Sequence, residues 1–258
     1  MRAVLLIART VLIEAVRRRE IYVVVLLSLL LIGTVMMVDF FDLEGLTKFY
    51  REVALQVMSM AAAITTIVLA CRQLPREFEN RTIHPLLAKP VGRATFLAGK
   101  LAGVMGAAAF CFTLFMAVYL AGSWWLGTGV PWGLFAQYFY LQMLMMLILA
   151  TLGFALSLRL NLDAALTIGV VFYFTSAVIM SASVYIYSET GTAGRLVLLV
   201  LNYALPQLAL FDLSEKAVHS EAWGPLPALT MANLTVYGAA FAALYFALAY
   251  IQFRRRPL

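Results

Sequence analysis

Six long blocks of apolar residues, separated by shorter polar stretches, dominate the pattern of this chain. An α-helix needs roughly 20 apolar residues to cross the hydrocarbon core of a bilayer, where no backbone polar group can stay unpaired. The blocks contain no Asp, Glu, Lys or Arg, and they cover residues 21–38, 53–71, 101–121, 134–158, 164–187 and 228–251. Their apolarity is continuous, which excludes the alternating pattern of a transmembrane β-barrel. The chain is therefore predicted to be an all-α integral membrane protein with six transmembrane helices in one domain, residues 1–258.

Two further elements are predicted outside these spans. Residues 1–19 carry apolar side chains on one helical face and arginines elsewhere, and the apolar face comprises Val4, Ile7, Ala8, Val11, Leu12 and Ala15. This pattern indicates an N-terminal interfacial helix, although a simple basic anchor would use the same residues. The segment 188–227 contains an apolar run, residues 196–201, that is too short to span. We expect a re-entrant helix or an ordinary surface helix there, and a re-entrant helix requires ends buried in protein or facing water.

Composition supports a membrane protein and excludes a soluble domain. Of the 258 residues, 64% are hydrophobic and 12% are charged, about half the roughly 25% charge of soluble proteins. The mean hydropathy is +0.91. Two cysteines, Cys71 and Cys111, are too few for a disulfide scaffold.

The net charge of +6 indicates topology. Fifteen of the 19 basic residues fall on the side of the predicted membrane that carries both termini and the loop 72–100, whereas eight of the 13 acidic residues fall on the other side. Because Lys and Arg in short loops stay in the cytoplasm, both termini and this loop are predicted to be cytoplasmic. The charge is explained by the bilayer, so no nucleic-acid partner is expected.

Few side chains within the spans offer chemistry. No ionisable residue lies in them, which disfavours ion-coupled transport. The polar candidates for a substrate pathway are Gln137, Gln142 and Asn233, together with Asn202 in the segment 188–227, and bonding to neighbouring helices is the alternative role.

A metal site or a catalytic constellation is not expected. The two histidines, His84 and His219, fall on opposite sides of the predicted membrane, so they cannot combine with a cysteine into a zinc site. The 12 methionines suit either a Cu(I) path or plain apolar filling, and filling is the more common use. The glycines at 99, 103 and 106 predict a close-packing face, for a contact within the subunit or between two copies.

The loop 72–100 is the most informative polar stretch. It mixes charges of both signs with three apolar residues at helical spacing, Ile83, Leu86 and Leu87. The pattern predicts a short amphipathic helix bounded by Pro75 and Pro90. Its apolar face would require a protein partner or a shallow seat on the membrane, and a solvated loop is the alternative.

This loop resembles the first cytoplasmic loop of ABC-2 type permeases. The resemblance rests on an acidic pair, then Arg81-Thr82, then the run 86–93 (LLAKPVGR), and finally Gly99-Lys100 at the start of the third span. It extends over the whole chain, since such permeases have an interfacial helix and six spans. The phrase at 201–213 (LNYALPQLALFDL) resembles the NosY-like subgroup, which belongs to a copper-enzyme maturation system. Arg81 departs from the family, which usually has Gly before the threonine.

The resemblance implies that the loop is a coupling helix seated on a separate ATP-binding subunit. The sequence contains no G-x-x-x-x-G-K-[ST] motif, so we expect no catalytic site and no cofactor on this chain, with ATP and Mg on the partner ATPase. The residues expected to form the coupling surface are Glu77, Glu79, Arg81, Thr82, Ile83, Leu86, Leu87, Pro90, Arg93 and Lys100.

The resemblance also implies an assembly and a direction. A second permease copy or a paralogue would complete the pathway within the bilayer, and export is the usual direction. A mechanical action on a periplasmic partner is an alternative to transport. A membrane scaffold that recruits a cytoplasmic protein through the loop 72–100 is the competing functional class. An intramembrane enzyme is disfavoured, because no nucleophile and base can be paired in these spans.

Overall fold

The computed structural model describes residues 2–16, 26, 33, 46–79, 92–125, 130–186, 191–218 and 224–255. This part of the chain is helical and contains no strand. A single 3-10 turn, Leu208–Phe211, precedes the short helix α7. The helices are α1 (Arg2–Val16), α2 (Leu46–Glu79), α3 (Arg93–Trp125), α4 (Trp132–Ser157), α5 (Leu162–Ile186), α6 (Thr192–Ala204), α7 (Ser214–Val218) and α8 (Ala228–Arg255).

Four of these helices are long and apolar enough to cross a membrane. Their qualifying stretches are Arg51–Phe78, Arg93–Trp125, Trp132–Ser157 and Ala228–Arg255, which overlap the second, third, fourth and sixth predicted spans. Helix α5 overlaps the fifth predicted span, and its stretch Leu162–Ser176 is a shorter apolar helix. The first predicted span, residues 21–38, lies outside the described residues apart from Leu26 and Gly33. The prediction of an all-helical, multi-pass membrane protein is therefore confirmed.

The long helices define two ends of the bundle. The last turn of α2 and the first turns of α3 lie at the same end of the bundle. We call it the loop end, because residues 80–91 connect the two helices there. The opposite end, the tryptophan end, carries Trp124 and Trp125 at the end of α3 and Trp132 at the start of α4. All three indoles are exposed, as expected for aromatic residues at a membrane interface.

Helix α4 is the centre of the bundle. It packs against α2, α3, α5 and α8 and against the segment that contains the 3-10 turn and α7. Its side chains are buried around most of its circumference, including Tyr138, Leu141, Met145, Met146 and Leu149. Helices that are apolar all round are expected in such a position.

Glycines allow α2 to approach its two neighbours closely. A Cβ atom built on Gly153 of α4 would lie 2.8 Å from the Cβ of Ala70, and one built on Gly169 of α5 would lie 2.8 Å from Cγ2 of Ile67. Neither position has room for a side chain. Small residues at such crossings are the usual means by which helices pack in lipid.

Helix α1 packs lengthwise on α3 through the predicted glycine face. Cβ atoms built on Gly99 and Gly103 would lie 2.9 Å and 2.5 Å from the Cβ atoms of Ile7 and Val11, respectively. Gly106 faces Leu12, at 3.2 Å from Cδ1. The glycine face therefore serves a contact within the subunit, which was one of its two predicted uses.

This packing changes the interpretation of the N-terminal helix. Its predicted apolar face covers α3, so that Val11 and Ala15 are fully buried against protein. The residues that it exposes are instead Leu5, Leu6 and Ile13 on the other side. An apolar periodicity shows that one face is buried, and it does not distinguish lipid from a neighbouring helix.

Two helices extend beyond the predicted spans at the loop end. Helix α2 continues past Pro75 to Glu79, and α3 begins at Arg93, eight residues before the predicted span. Proline is tolerated near the end of a membrane helix where neighbouring groups hold the last turn. Here Arg76, Glu77 and Phe78 all contact other helices. The predicted helix between Pro75 and Pro90 therefore loses its first turn to α2, and residues 80–91 lie outside the described part of the chain.

We expect the substitution Gly103→Ala to destabilise the protein through the α1 contact. The added methyl group would meet both the Val11 side chain and the backbone carbonyl of Ala8, the latter at 2.9 Å. Such overpacking typically costs about 1–3 kcal/mol. The measurement is the Tm of the purified protein. Gly106→Ala is the matched control, because it brings the same gain in helix propensity and meets only the flexible end of Leu12. Equal Tm values for the two variants would contradict the assigned packing.

Candidate functional site: the loop end and the buried polar groups

A buried ion pair joins α2 to α3 at the loop end. The Lys100 ammonium donates to the Glu77 carboxylate, and their side chains are only 5% and 16% exposed. Lys100 Nζ also lies 3.4 Å from Oε1 of Gln73 and 5.8 Å from the centroid of the Phe96 ring. A lysine is tolerated in this position because a carboxylate, an amide oxygen and an aromatic face surround it.

An aromatic cluster and a hydrogen bond add α8 to this junction. The Phe253 ring stacks on Phe96 of α3 at a centroid distance of 5.8 Å and meets Phe78 of α2 edge-on at 6.2 Å. The Arg93 guanidinium donates to the backbone carbonyl of Arg254. The end of α2, the start of α3 and the end of α8 therefore form one packed unit, which we call the junction.

Helix α1 attaches to the junction through a more exposed contact. Arg76 Nη1 donates to Glu14 Oε1 at 2.8 Å, and the two side chains are 51% and 44% exposed. An exposed ion pair of this kind is typically worth about 0–1 kcal/mol. It orients α1 and adds little to the stability of the bundle.

The predicted coupling residues separate into two groups. Glu77, Arg93 and Lys100 lie at the junction and bond within the chain, and Glu79 is the last residue of α2. The remaining residues, Arg81, Thr82, Ile83, Leu86, Leu87 and Pro90, lie outside the described residues. Glu77, Arg93 and Lys100 therefore hold together the helix ends that flank the loop.

Gln142, a predicted pathway residue, lies in a fully buried polar group near the middle of the bundle. Its Nε2 donates to Ser59 Oγ at 3.1 Å, which links α4 to α2. One turn away, the Tyr138 hydroxyl donates to the backbone carbonyl of Leu55 at 3.2 Å. The side chain of Ser59 also bonds to the hydroxyls of Tyr138 and of Tyr173 on α5. We call Ser59, Tyr138, Gln142 and Tyr173 the polar cluster.

The other three predicted pathway residues lie apart from this cluster. Gln137 holds the start of α8 in place, since its Nε2 donates to the Leu226 carbonyl at 3.0 Å and its Oε1 accepts from the Leu226 N–H at 2.8 Å. Asn233 is on the exposed face of α8, and Asn202 lies in α6. The structure therefore does not bring the four residues together.

A segment that the sequence left undefined is inserted between the helices at the tryptophan end. Residues 205–217, which we call the plug, bury Leu208, Phe211, Leu213 and Ala217 against the bundle. The plug contacts α2, α4 and α5. The apolar run 196–201, for which a re-entrant or surface helix was predicted, lies in α6. Helix α6 contacts α5 alone among the pairs with substantial contact and exposes much of its apolar surface.

Three hydrogen bonds fasten the plug. Ser176 Oγ of α5 donates to the Pro206 carbonyl at 2.7 Å and accepts from the Leu208 N–H at 2.9 Å. The Gln207 N–H donates to the Tyr237 hydroxyl of α8 at 3.0 Å. These bonds satisfy backbone groups that irregular chain would otherwise leave unpaired inside the bundle.

The plug reaches roughly a third of the way along α8, which has 28 residues. The Phe211 ring lies against Gly238, where a built Cβ would be 3.1 Å from the ring and 3.6 Å from the Cβ of Leu144. Gly238 is about 15 Å along α8 from its first residue, at a rise of about 1.5 Å per residue. The Phe211 side chain is fully buried at this position.

Asp212 is a charged residue of the plug that the sequence analysis did not single out. It follows Phe211, and its Oδ1 accepts the Ser214 N–H at 2.9 Å. Burial raises the pKa of this carboxyl, with the bonds from Ser214 acting in the opposite direction. The sequence feature that could have indicated a packed position for this residue is the apolar run Leu208–Phe211, which directly precedes it.

Among the described residues, no group of three or more His, Cys, Asp or Glu could hold a metal ion. Cys71 and Cys111 are buried free thiols. Met145 and Met146 are buried within the apolar core.

Comparison with known proteins assigns the chain to a family. The protein-family model described as "ABC-2 family transporter protein" matches residues 5–258, which is nearly the whole chain. No curated protein matches it. Membrane subunits of this family work with ABC ATPase subunits, and the long apolar helices agree with such a role. The chain is a multi-pass membrane protein that belongs to the ABC-2 transporter family of permeases.

Proposed function

We propose that this chain is the transmembrane subunit of an ABC-2 transporter that couples ATP hydrolysis on a separate subunit to movement across the bacterial inner membrane. The loop end faces the cytoplasm in this proposal, because the basic residues gather there. ATP and Mg are bound by the partner ATPase, and this chain supplies the membrane pathway.

The junction is the observation that carries the proposal. The ends of α2 and α3 that flank residues 80–91 are tied to each other by the Glu77–Lys100 pair and to α8 by Phe253. A force applied to the loop would therefore displace several helices as one unit. A freely hinged loop would absorb the same force locally.

The contacts at the junction indicate two different roles among the predicted coupling residues. Glu77, Arg93 and Lys100 act as positioning residues, since their polar atoms are used within the chain. The contact with the ATPase then falls to residues 79–90. Ile83, Leu86 and Leu87 are its apolar anchors, and Glu79, Arg81 and Thr82 provide polar contacts.

The finer features of the proposal follow from the family. Two such permeases, identical or paralogous, complete one transporter, and the direction is export or a mechanical action on a periplasmic partner. Helix α8 buries few of its side chains, including Gly238, Ala242, Ala249 and Phe253, so it has a broad face for lipid or a second copy. The phrase at 201–213 supports membership of the NosY-like subgroup.

We expect Lys100→Met to weaken both the fold and the coupling. The substitution leaves the largely buried Glu77 carboxylate without its lysine partner, a loss that typically costs about 3–5 kcal/mol. The measurements are the Tm of the purified protein and the amount of ATPase subunit that co-purifies with it.

The reversed pair Glu77→Lys with Lys100→Glu should recover part of both quantities. Arg76→Gln is the matched control, because it removes an exposed ion pair from the same turn of α2 and should change the stability by less than about 1 kcal/mol. If Lys100→Met and Arg76→Gln had equal effects, the junction would have no special role.

We expect Leu86→Asp with Leu87→Asp to abolish co-purification of the ATPase subunit without lowering the Tm. Two carboxylates would replace the apolar anchors of the contact, and anchor residues typically account for 2 kcal/mol or more each. The measurement is affinity purification of the tagged chain from cells that express it with an ABC ATPase.

Leu196→Asp with Val197→Asp is the control, since these residues are exposed on α6, which the proposal places on the opposite side of the membrane. Retention of the ATPase by the loop variant would exclude the assigned docking surface. Capture of a cytoplasmic protein without ATPase activity through the same loop would favour the scaffold.

A further inference from the structure

Helix α1 turns a face that is both apolar and basic away from the bundle. Opposite its contact with α3, the side chains of Leu5, Leu6 and Ile13 are 68%, 63% and 42% exposed. Arg9 is exposed among them, four residues from Leu5 and Ile13 and three from Leu6. Three large apolar side chains around a guanidinium suit neither bulk water nor pure hydrocarbon.

The charge of Arg9 is not neutralised within the described part of the chain. Arg9 forms no ion pair with any residue that the structure describes. The acid of the same helix, Glu14, instead accepts a hydrogen bond from Arg76 of α2 at 2.8 Å. The neighbouring Thr10 hydroxyl donates to the Ile7 carbonyl at 2.8 Å. The exposed face of α1 therefore presents a positive charge to its surroundings.

The position of α1 along α3 places this face near the headgroups. A hydrocarbon core of about 30 Å corresponds to about 20 residues of helix. Counted from Trp125, the exposed tryptophan at the end of α3, about 20 residues lead back to the stretch around Gly106. Helix α1 covers this stretch through Val11 and Leu12. It therefore lies where the hydrocarbon meets the headgroups on the loop-end side.

The sequence around α1 has the same sign of charge. Residues 1–20 contain five arginines and two glutamates. Basic clusters beside a transmembrane segment attract anionic lipids, and the attraction adds up over the cluster. An amphipathic helix with basic and apolar side chains binds at such an interface by both effects.

We propose that the exposed face of α1, formed by Leu5, Leu6, Arg9 and Ile13, binds anionic phospholipid at the membrane surface. The three apolar side chains enter the boundary between headgroups and acyl chains, and the guanidinium pairs with a lipid phosphate, for which its fork of donors is well suited. A zwitterionic lipid carries its own cation beside the phosphate, so an anionic headgroup is preferred. This binding surface goes beyond the proposed function, since it requires neither the ATPase nor the coupling loop.

The bound lipid would contact an element that is attached to the loop end. The opposite face of α1 packs on Gly99 and Gly103 of α3 with no room for a Cβ atom, and Glu14 bonds to Arg76 beside the junction. The lipid-binding face is thus the reverse of the face that the sequence pattern predicted to lie on the membrane.

The test measures which lipid lies next to α1. The full-length chain with the substitution Ile13→Cys carries a bimane fluorophore and is placed in phosphatidylcholine vesicles. Cys71 and Cys111 are buried, so the added cysteine is the accessible thiol among the described residues. A small fraction of the lipid is replaced by phosphatidylglycerol or phosphatidylcholine with the same brominated acyl chains, which quench bimane at short range.

We expect phosphatidylglycerol to quench the fluorophore about twofold or more better than phosphatidylcholine at low salt. The excess should shrink at about 0.5 M salt, because exposed charges are then screened. Arg9→Gln should at least halve the excess, and Arg9→Lys should keep more of it, since lysine retains a point charge.

Two controls separate this face from the general charge of the protein. Arg159→Gln removes an exposed arginine from the turn between α4 and α5 and should leave the excess at position 13 unchanged. A bimane on Val236→Cys, which is 70% exposed on α8, should be quenched equally by the two lipids.

Equal quenching by the two lipids at position 13 would overturn the proposal. So would an excess that Arg9→Gln leaves intact or that Arg159→Gln lowers just as much. Absence of quenching by either lipid would place the face against water or a protein and would also overturn it. None of these results bears on the proposed coupling, because no ATPase is present in the experiment.

Discussion

The lipid around this bundle determines which forces can hold its helices together. Lipid is as apolar as a leucine side chain, so burying apolar surface between two membrane helices gains little, and close packing has to replace it. Helices α1 and α3 meet along Gly99 and Gly103, and α2 meets α4 at Gly153, in each case at distances that exclude a Cβ atom. The polar contacts between the helices, such as Lys100 to Glu77 and Gln142 to Ser59, are consequently few and specific.

The sequence predicted the features that depend on local composition. The apolar blocks predicted long helices because a continuous apolar stretch needs internal hydrogen bonding wherever it enters lipid. The helical face around Val11 and the glycine face around Gly103 were both predicted, although their mutual contact was not. Matching one face to another requires the path of the chain between them, which periodicity does not contain.

The extended helix ends and the position of Asp212 have a common physical cause. Lys100 was placed outside the third span because a charge ordinarily ends an apolar block, and Glu77 from another helix lets α3 include it. Asp212 was assigned to the outer segment because it lies between predicted spans, and the packing of the plug against the bundle leaves it partly buried. In both cases a contact between distant parts of the chain changes the cost of burying a charge, and single-sequence patterns cannot show such contacts.

Helix α2 is in contact with both polar regions of the bundle. It carries Glu77 at the junction and Ser59 in the polar cluster, about 27 Å apart at the rise of an α-helix. A displacement of the junction along the axis of α2 would therefore move Ser59 relative to Gln142 of α4, which donates a hydrogen bond to it. Such coupling requires that the two regions have different free energies in at least two states. The hydrogen bond from Gln142 to Ser59 connects one part of α2 to the centre of the bundle, and the Glu77–Lys100 pair connects its end to the loop.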